Sequence, residues 1–511
     1  MNSFKKLFVL LDPERHYSLL LSLVAGACMT LAFAPFNQAW LVYLLLAVLF
    51  YLWSRSSPKR ALLIGWLFGV GMQCTGVCWI FYSLYYHGGT PPFLAVLMIV
   101  LLASYLSIYT ALAGFVVNRY CADNSVIRLM LLYPVAWALF EWLQGIVLTG
   151  FAWMQLGYSQ IDTPLAGYAP VLGNHGVGFA VGVSAGLIVL LIVRSTTWPR
   201  PVVPVAVVMV AAIWISGFAL KQIGWTEPVG AQLRVSLVQG NVAQGEKWKR
   251  ESFQPTLELY RDLSLQSLNT DLIIWPETAV PGYLHRLTAY IADLNQTMQQ
   301  RNTDLLLGIF IRDQAKGRYY NSFINVGGGE YRKRHLVPLG EYIPLRFLLG
   351  FFDQWINIPM SDIESGADIQ PLLTAAGQPL GVSICFEDAF ARDVRKDLPE
   401  ATLLVNVSND AWFDGSHEAY QHHVIARMRA LESGRYMLRA TNTGISSVID
   451  PHGAVIAKAP RYEAYVLNAT VQPMRGATPY VLWGDYFLLV AGVLVLGWFA
   501  YREKQKSSVK G

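Results

Sequence analysis

The apolar residues of this chain follow two different patterns, which meet near residue 230. Before that point, and again near the C-terminus, apolar runs alternate with short polar loops. A run of about 20 apolar residues can cross the hydrocarbon core of a bilayer as a helix. We therefore predict eight membrane spans, at residues 17–34, 40–53, 61–82, 93–117, 129–148, 177–193, 202–220 and 480–501.

Between residues 233 and 475 the apolar runs shorten to the length of buried strands, and polar helical patterns separate them. We predict strands at residues 235–240, 272–275, 305–308, 323–326, 381–384, 403–407 and 445–449, and helices at 256–268, 284–300 and 418–433. Strands that alternate with helices indicate a layered α/β domain. The predicted organisation is a membrane domain of about seven helices over 1–230, an α/β domain over 231–475, and a last span with a basic tail over 476–511.

Composition supports membrane insertion, and the charge pattern predicts the orientation. Hydrophobic residues make up 54% of the chain, more than in an ordinary soluble protein. Lys and Arg lie in loops at alternate ends of the spans, whereas the loops around 35–38, 87–92 and 150–175 contain neither. By the positive-inside rule both termini are cytoplasmic and the α/β domain is extracytoplasmic. Acidic residues interrupt the N-terminal apolar stretch, so we predict an uncleaved start. The net charge of +5 indicates no nucleic-acid partner.

One thiol stands out in the α/β domain. Cys385 directly follows the predicted strand 381–384, and the ends of parallel strands are where such sheets present catalytic groups. Taken alone, such a residue is more often a buried core cysteine than a nucleophile. Cys74 and Cys78 form a C-x3-C pair inside an apolar run without further Cys or His, which is a weak pattern for zinc.

A cysteine nucleophile needs a nearby base or cation, and two candidates follow other strand patterns. Glu277 lies just beyond Pro276, which ends the predicted strand 272–275. Lys333 follows a Gly-rich hairpin at 327–329. Taken singly, a Glu or Lys near a turn is more typical of a solvated surface than of a catalytic site.

Together these residues belong to three ordered motifs that resemble the nitrilase superfamily. The motifs are Trp275-Pro276-Glu277, Lys333-Arg334-His335-Leu336-Val337-Pro338-Leu339-Gly340-Glu341 and Ile384-Cys385-Phe386-Glu387. The long lysine motif and the flanking spans are similar to the membrane-embedded apolipoprotein N-acyltransferase branch, over essentially the whole chain. The resemblance implies a multi-span α-helical membrane domain plus a nitrilase-like extracytoplasmic domain, an α/β fold of the α-β-β-α sandwich type.

The resemblance also implies roles for individual residues. Glu277 would be the general base, Lys333 the cation that stabilises the tetrahedral oxyanion, and Cys385 the nucleophile. Glu341 would support the lysine and the thiol. The amide N–H of Phe386, a position where many family members carry Tyr, would complete the oxyanion hole.

Further site residues are expected from less specific sequence similarity than that of the three motifs. Glu387 is a supporting residue of the cysteine motif, and Trp248 and Asn321 are expected to contribute to substrate binding. The segment 406–413 resembles the family's pocket-lining loop, with a plain capping turn as the alternative. Large apolar residues at 345–358 indicate either core packing or, as we prefer, a membrane-facing lid.

Two other groups of polar residues have plain structural interpretations. His417-Glu418-Ala419-Tyr420-Gln421 lacks the second His of an H-E-x-x-H zinc site, so we predict a helix N-terminus with hydrogen-bonded histidines, including His422 and His423. Glu141 lies inside a predicted span, where we expect a structural hydrogen bond between helices.

The resemblance implies acyl transfer in two steps. Cys385 takes an acyl chain from a phospholipid as a thioester, and the N-terminal amine of the diacylglyceryl-cysteine of an apolipoprotein then receives it. The implied location is the bacterial inner membrane with the catalytic domain in the periplasm, and no cofactor or metal is implied. The alternatives are a membrane-tethered carbon–nitrogen hydrolase (an amidase) acting on a small amide, and a transporter or scaffold without catalysis.

Overall fold

The computed structural model describes residues 15–121, 125–193, 201–267, 269–313, 317–338, 340–342 and 363–509. The chain divides into two compact units. One contains Met1–Cys78, Val96–Ile223 and Leu482–Gly511, and the other contains Trp79–Ala95 and Gly224–Val481. The predicted lid at 345–358 lies outside the described residues.

The first unit is built from apolar helices. Within the described ranges, four are long and apolar enough to cross a membrane: Pro92–Tyr120, Pro164–Val193, Val202–Lys221 and Tyr486–Lys506. A fifth is reached if Pro58–Gly76 and Ile80–His87 count as one broken span, and His16–Ala32 and Leu41–Ser54 are apolar but shorter. These helices make the chain an integral membrane protein.

Helices occur at all eight predicted spans, but several boundaries differ. They are His16–Cys28, Leu41–Ser54, Pro58–Gly76, Pro92–Tyr120, Tyr133–Gln144, Ala169–Val193, Val202–Lys221 and Tyr486–Val509. The predicted span 480–501 begins too early, because Gly484, with a φ of 57°, follows the separate short helix Pro479–Trp483. The predicted span 61–82 is interrupted after Gly76.

Glu141 is buried in the helix Tyr133–Gln144 and makes structural hydrogen bonds, as predicted. Its Oε1 accepts from Trp137 Nε1 at 3.1 Å and from the backbone N–H of Leu156 at 2.9 Å. Trp137 belongs to the same helix and Leu156 to the separate 3-10 helix Leu156–Gln160, so the second bond joins two helices.

The second unit contains two six-stranded sheets. With the strands numbered in chain order and their bounds given in the next two sentences, one sheet has the order β13-β2-β3-β4-β5-β6 and the other has the order β12-β11-β10-β9-β8-β7. The strands of the first are β2 Leu233–Gln239, β3 Leu272–Ile274, β4 Asp304–Asp313, β5 Arg318–Asn325, β6 Glu330–Arg332 and β13 Tyr465–Val471. Those of the second are β7 Leu373–Ala375, β8 Gln378–Ile384, β9 Leu403–Ser408, β10 Met437–Thr441, β11 Ser447–Ile449 and β12 Val455–Lys458, and β1 Glu227–Pro228 pairs separately with β14 Met474–Arg475.

Parallel strands at the centre of each sheet bring the site residues to common edges. β2, β3 and β4 are parallel, with Leu237 opposite Ile274. β8, β9 and β10 are also parallel, with Ile384 opposite Val407. The segments after β3, β8 and β9 therefore begin where parallel strands end, which is where such sheets place functional groups.

The core shows how the layers stack. Buried residues of both sheets, such as Leu237 and Ile274 of one and Val382 and Val405 of the other, form a single cluster between them. A second cluster joins one sheet to the helices Arg250–Leu265 and Thr288–Gln299, and a third joins the other sheet to Glu418–Ser433. The arrangement is the predicted α-β-β-α sandwich.

The sequence located about half of these strands. Each of the seven predicted strands falls on an observed one, and the helix Glu418–Ser433 has the predicted bounds. The strands that were not predicted are β1, β6, β7, β10, β12, β13 and β14. β10 carries the buried Arg439, which interrupts its apolar pattern, and β13 has one exposed face.

Candidate active site

The three predicted catalytic residues follow strands of the two sheets. Glu277 lies in the turn after β3, Lys333 follows β6, and Cys385 directly follows β8. The backbone N–H of Lys333 donates to the carbonyl of Asn321 on β5 at 2.8 Å, which continues the pairing of β5 with β6 up to the lysine.

Lys333 is buried beside two carboxylates. Its Nζ lies 2.8 Å from Glu341 Oε1 and 3.6 Å from Glu277 Oε1, and its side chain is 1% exposed. Burial disfavours the ammonium, but the negative charges of Glu341 and Glu277 outweigh it and raise the pKa of Lys333 above its usual value. Lys333 therefore carries its positive charge at neutral pH.

Glu277 is held at both oxygens. Oε1 accepts from Asn321 Nδ2 at 2.8 Å, and Oε2 accepts from the backbone N–H of Asn409 at 2.9 Å. Asn321 Nδ2 also lies 3.2 Å from Glu341 Oε1, and the backbone N–H of Val337 donates to Glu341 Oε2 at 2.8 Å. This places Asn321 between the two carboxylates, where it orients them; its predicted contact with substrate stays a prediction.

Cys385 occupies a left-handed backbone conformation, with φ of 54°, at the start of the 3-10 turn Cys385–Ala389. Such a conformation is uncommon outside glycine and often marks a functional residue. Burial, together with the charge of Glu277, raises the pKa of the thiol to about 12, whereas Lys333 and His422 lower it. The thiol is therefore protonated at neutral pH and needs a base to become a nucleophile.

Glu387 joins the lysine loop to the cysteine turn. Its Oε1 accepts the backbone N–H groups of Arg334 at 2.6 Å and His335 at 2.9 Å, and its Oε2 accepts that of Ile384 at 2.7 Å. Burial raises the pKa of Glu387 to about 7, against the opposing effects of Lys333 and of these N–H groups. The contacts give Glu387 a supporting position.

The rings of Phe386 and Trp248, two other predicted site residues, lie next to other aromatic rings. The Phe386 ring packs edge-on against Phe390 at 4.9 Å and against His335 at 6.0 Å between centroids. Trp248 is 43% exposed and lies 5.9 Å from the ring of Phe310. Contribution of the Phe386 amide to an oxyanion hole, and of Trp248 to substrate binding, remain predictions.

The structure adds residues that the sequence analysis did not single out. Lys247 is 1% exposed, and its Nζ donates to Thr278 Oγ1 at 2.6 Å and to the carbonyl of Glu277 at 3.3 Å. Burial lowers the pKa of Lys247 to about 7, although Glu277 opposes the shift. The only signal in the sequence was a lysine adjacent to Trp248, which says nothing about burial.

The segment 406–413 contacts the site through a backbone N–H group and a side-chain amide. Asn409 holds Glu277, and Asn406 Nδ2 donates to the carbonyl of Cys385 at 3.2 Å. The 3-10 turn Asp410–Phe413 follows, and His417 precedes the helix Glu418–Ser433, as predicted. Asp410, Glu418 and His422 have ligand atoms within 4.8 Å of one another, a spacing that a cation could use.

Known proteins match both halves of the chain. A family model for the apolipoprotein N-acyltransferase N-terminal domain matches residues 25–187, and one for carbon-nitrogen hydrolase matches residues 234–480. An apolipoprotein N-acyltransferase of Methylococcus capsulatus is 42% identical over 97% of this chain and 98% of its own. One of Nitrosomonas europaea is 38% identical over 94% and 97%. Among solved structures, a carbon-nitrogen hydrolase from Helicobacter pylori G27 aligns at 18% identity with a TM-score of 0.35, covering 47% of this chain and 88% of its own.

Proposed function

The chain belongs to the apolipoprotein N-acyltransferase family and acylates apolipoproteins, and we propose that it does so through a thioester on Cys385. The acyl donor is a phospholipid, and the acceptor is the N-terminal amine of the diacylglyceryl-cysteine of a lipoprotein. The observation that supports this most directly is the buried group of Glu277, Lys333 and Glu341 next to a thiol that is protonated at rest.

In the first step Glu277 removes the thiol proton while Cys385 Sγ attacks the ester carbonyl carbon of the phospholipid. The carbonyl oxygen becomes an oxyanion, and the Lys333 ammonium and the Phe386 N–H stabilise it. The carbon–oxygen bond then breaks, the lysophospholipid oxygen takes the proton from Glu277, and the thioester remains.

In the second step the acceptor amine attacks the thioester carbonyl and gives a proton to Glu277. The Lys333 ammonium and the Phe386 N–H also stabilise the second oxyanion. Collapse breaks the carbon–sulfur bond, the sulfur regains the proton, and an amide has formed. Two features support the assignment of Glu277 as base in both steps, namely the fixed position of its oxygens and the nearby charge of Lys333.

The proposed location is the bacterial inner membrane, with both termini in the cytoplasm and the α/β domain in the periplasm. The distribution of Lys and Arg over alternate loops supports this orientation. We keep the proposed division into a membrane domain over 1–230, a catalytic domain over 231–475 and a C-terminal span with its tail over 476–511.

Mass spectrometry of purified protein exposed to phospholipid without acceptor tests the thioester. We expect one added acyl mass on the peptide that contains Cys385, removed by neutral hydroxylamine and absent in Cys385→Ala. Addition of a diacylglyceryl-cysteine peptide should discharge it as an amide. A wild-type protein that transfers acyl chains but never carries one would contradict the covalent route, and release of free fatty acid without amide formation would contradict acyl transfer to the acceptor amine.

A further inference from the structure

A cluster of buried charged residues surrounds His422 beside the nucleophile. We call it the His422 cluster; it consists of His422, Asp388, Asp410, Glu418 and Arg439, each at most 3% exposed. Its members come from the turn after β8, the turn after β9, the helix Glu418–Ser433 and β10. Buried charges are costly unless they are paired, so the contacts inside the cluster decide its charge state.

Both ring nitrogens of His422 face carboxylate oxygens. Nε2 lies 2.9 Å from Asp388 Oδ1, and Nδ1 lies 3.2 Å from Glu418 Oε1 and 3.4 Å from Asp410 Oδ1. A neutral imidazole has a single N–H, whereas the imidazolium has one on each nitrogen. Carboxylates on both sides of the ring therefore favour the imidazolium.

The same ring also reaches the nucleophile's backbone. His422 Nε2 lies 3.2 Å from the carbonyl oxygen of Cys385, which Asn406 Nδ2 approaches at 3.2 Å as well. These two donors hold the peptide group of a residue whose φ of 54° is unfavourable without such support.

The charges of the His422 cluster are close to balance. Arg439 contributes one positive charge, with Nη1 3.4 Å from Asp388 Oδ2 and Nη2 3.2 Å from Asp410 Oδ2. An imidazolium at His422 supplies the second. Burial and the charge of Asp410 raise the pKa of Glu418 to about 7, so Glu418 can take up a proton when the three negative charges exceed the two positive ones.

We propose that His422 is a buried imidazolium that positions Cys385 and, through its charge, favours the thiolate when Glu277 removes the proton. The inference rests on the proposed role of Cys385 as nucleophile. His422 is then a positioning residue, with Lys333 as the second cation close to the sulfur. Burial and Arg439 lower the pKa of His422, but Asp388 and Asp410 more than compensate and keep it above the usual range.

The test follows alkylation of Cys385 by iodoacetamide, a reaction that needs no phospholipid. Peptide mass spectrometry reports the rate at Cys385, with the exposed Cys78 as internal reference. His422→Gln keeps a donor near the Nε2 position but has no charge. Loss of a nearby cation raises a thiol pKa by about one unit or more, and the higher nucleophilicity of the more basic thiolate offsets part of the loss, so we expect a rate about three- to tenfold lower at each pH.

His423→Gln is the matched control. His423 is the next residue in the same helix and is also buried, but its Nε2 lies 2.9 Å from Ser447 Oγ. Burial lowers the pKa of His423 to about 3, so this ring is neutral and its replacement should leave the alkylation rate of Cys385 unchanged. Equal losses in His422→Gln and His423→Gln would overturn the proposal, as would no loss in His422→Gln.

Asp388→Asn provides a second variant that retains His422. A neutral amide then replaces the carboxylate that faces Nε2, so the pKa of His422 should fall and the ring should lose its proton within the pH range of the assay. We expect the logarithm of the Cys385 alkylation rate to show an added downward inflection between about pH 6 and pH 10. A merely structural role gives no new inflection, and a profile parallel to that of wild type would overturn the assignment even if His422→Gln does not fold.

Two further experiments distinguish the imidazolium from a bound metal ion and test the role of Cys385 separately. A chelator should leave the alkylation rate unchanged, whereas a lower rate after chelation would replace the imidazolium by a metal ion. Acyl transfer by Cys385→Ala would overturn the proposed role of Cys385 as nucleophile. The alkylation rates of the His422 variants would still decide whether His422 is an imidazolium, because alkylation needs no acyl transfer.

Discussion

Replacement of Glu277 by Gln tests the general base without changing the size of the side chain. The backbone N–H of Asn409, 2.9 Å from Glu277 Oε2, fixes the oxygen of the new amide on the same side. The amide NH2 then faces Asn321 Nδ2, which donates to Glu277 Oε1 at 2.8 Å in the wild type. Asn321 Oδ1 has no hydrogen-bond partner among the described residues, so rotation of the Asn321 amide restores a contact with the new amide and gives up the 3.2 Å contact of Nδ2 with Glu341 Oε1.

The substitution therefore keeps the size of the side chain but removes the carboxylate that accepts the thiol proton. Lys333 keeps Glu341 Oε1 at 2.8 Å, and its charge stays compensated. A positioned general base contributes about 10² to 10⁴ in rate, or about 3–5 kcal/mol of activation free energy, and thioester formation should fall by this amount. Alkylation should respond in the opposite direction, because the charge of Glu277 raises the pKa of the Cys385 thiol and its removal favours the thiolate.

The assay compares these two reactions of the same thiol. Single-turnover formation of the Cys385 thioester from phospholipid is followed by mass spectrometry, in parallel with alkylation by iodoacetamide. Glu258→Gln, the same change at an exposed position of the helix Arg250–Leu265, serves as control. Thioester formation at the wild-type rate in Glu277→Gln would refute the assignment. Parallel slowing of both reactions would show that the variant has lost the site geometry and not only the base.

Other perturbations address the lysine, the packing of the second unit and the membrane orientation. Glu341→Gln removes the negative charge that lies 2.8 Å from Lys333 Nζ, so burial should lower the lysine pKa. Acyl transfer should then fall most steeply as the pH rises and the ammonium is lost, which a pH–rate profile checks. Trp79→Phe loses the 3.0 Å hydrogen bond from Nε1 to Gln421 Oε1 and should lower the free energy of unfolding by about 1 kcal/mol, measured by thermal denaturation in detergent. A membrane-impermeant maleimide should label a cysteine introduced at an exposed position of the α/β domain in intact cells; labelling only after the inner membrane is opened would reverse the proposed orientation.

Local patterns were enough to place the catalytic candidates at strand ends. The apolar run before Pro276 and the one before Cys385 correspond to β3 and β8, and the helix Glu418–Ser433 begins and ends where its pattern does. Where local signals were mixed, prediction failed. Residues 480–501 read as one span, but the left-handed Gly484 divides them, and the buried Arg439 concealed β10.

The division into membrane helices and a layered α/β domain could be predicted without coordinates, because periodicity and the length of apolar runs are properties of consecutive residues; the α-β-β-α sandwich was implied only by the family resemblance. The sequence also placed Glu277, Lys333 and Cys385 in motifs whose spacing along the chain is visible without coordinates. Which groups surround these three residues follows from the tertiary fold. The Asn409 N–H on Glu277, Lys247 behind it and the Asp388 carboxylate beside His422 come from segments 30 to 132 residues away from their partners along the chain. Parallel strands and crossover helices bring such distant segments to one edge, and burial among these partners, not residue type, sets the charge each group carries.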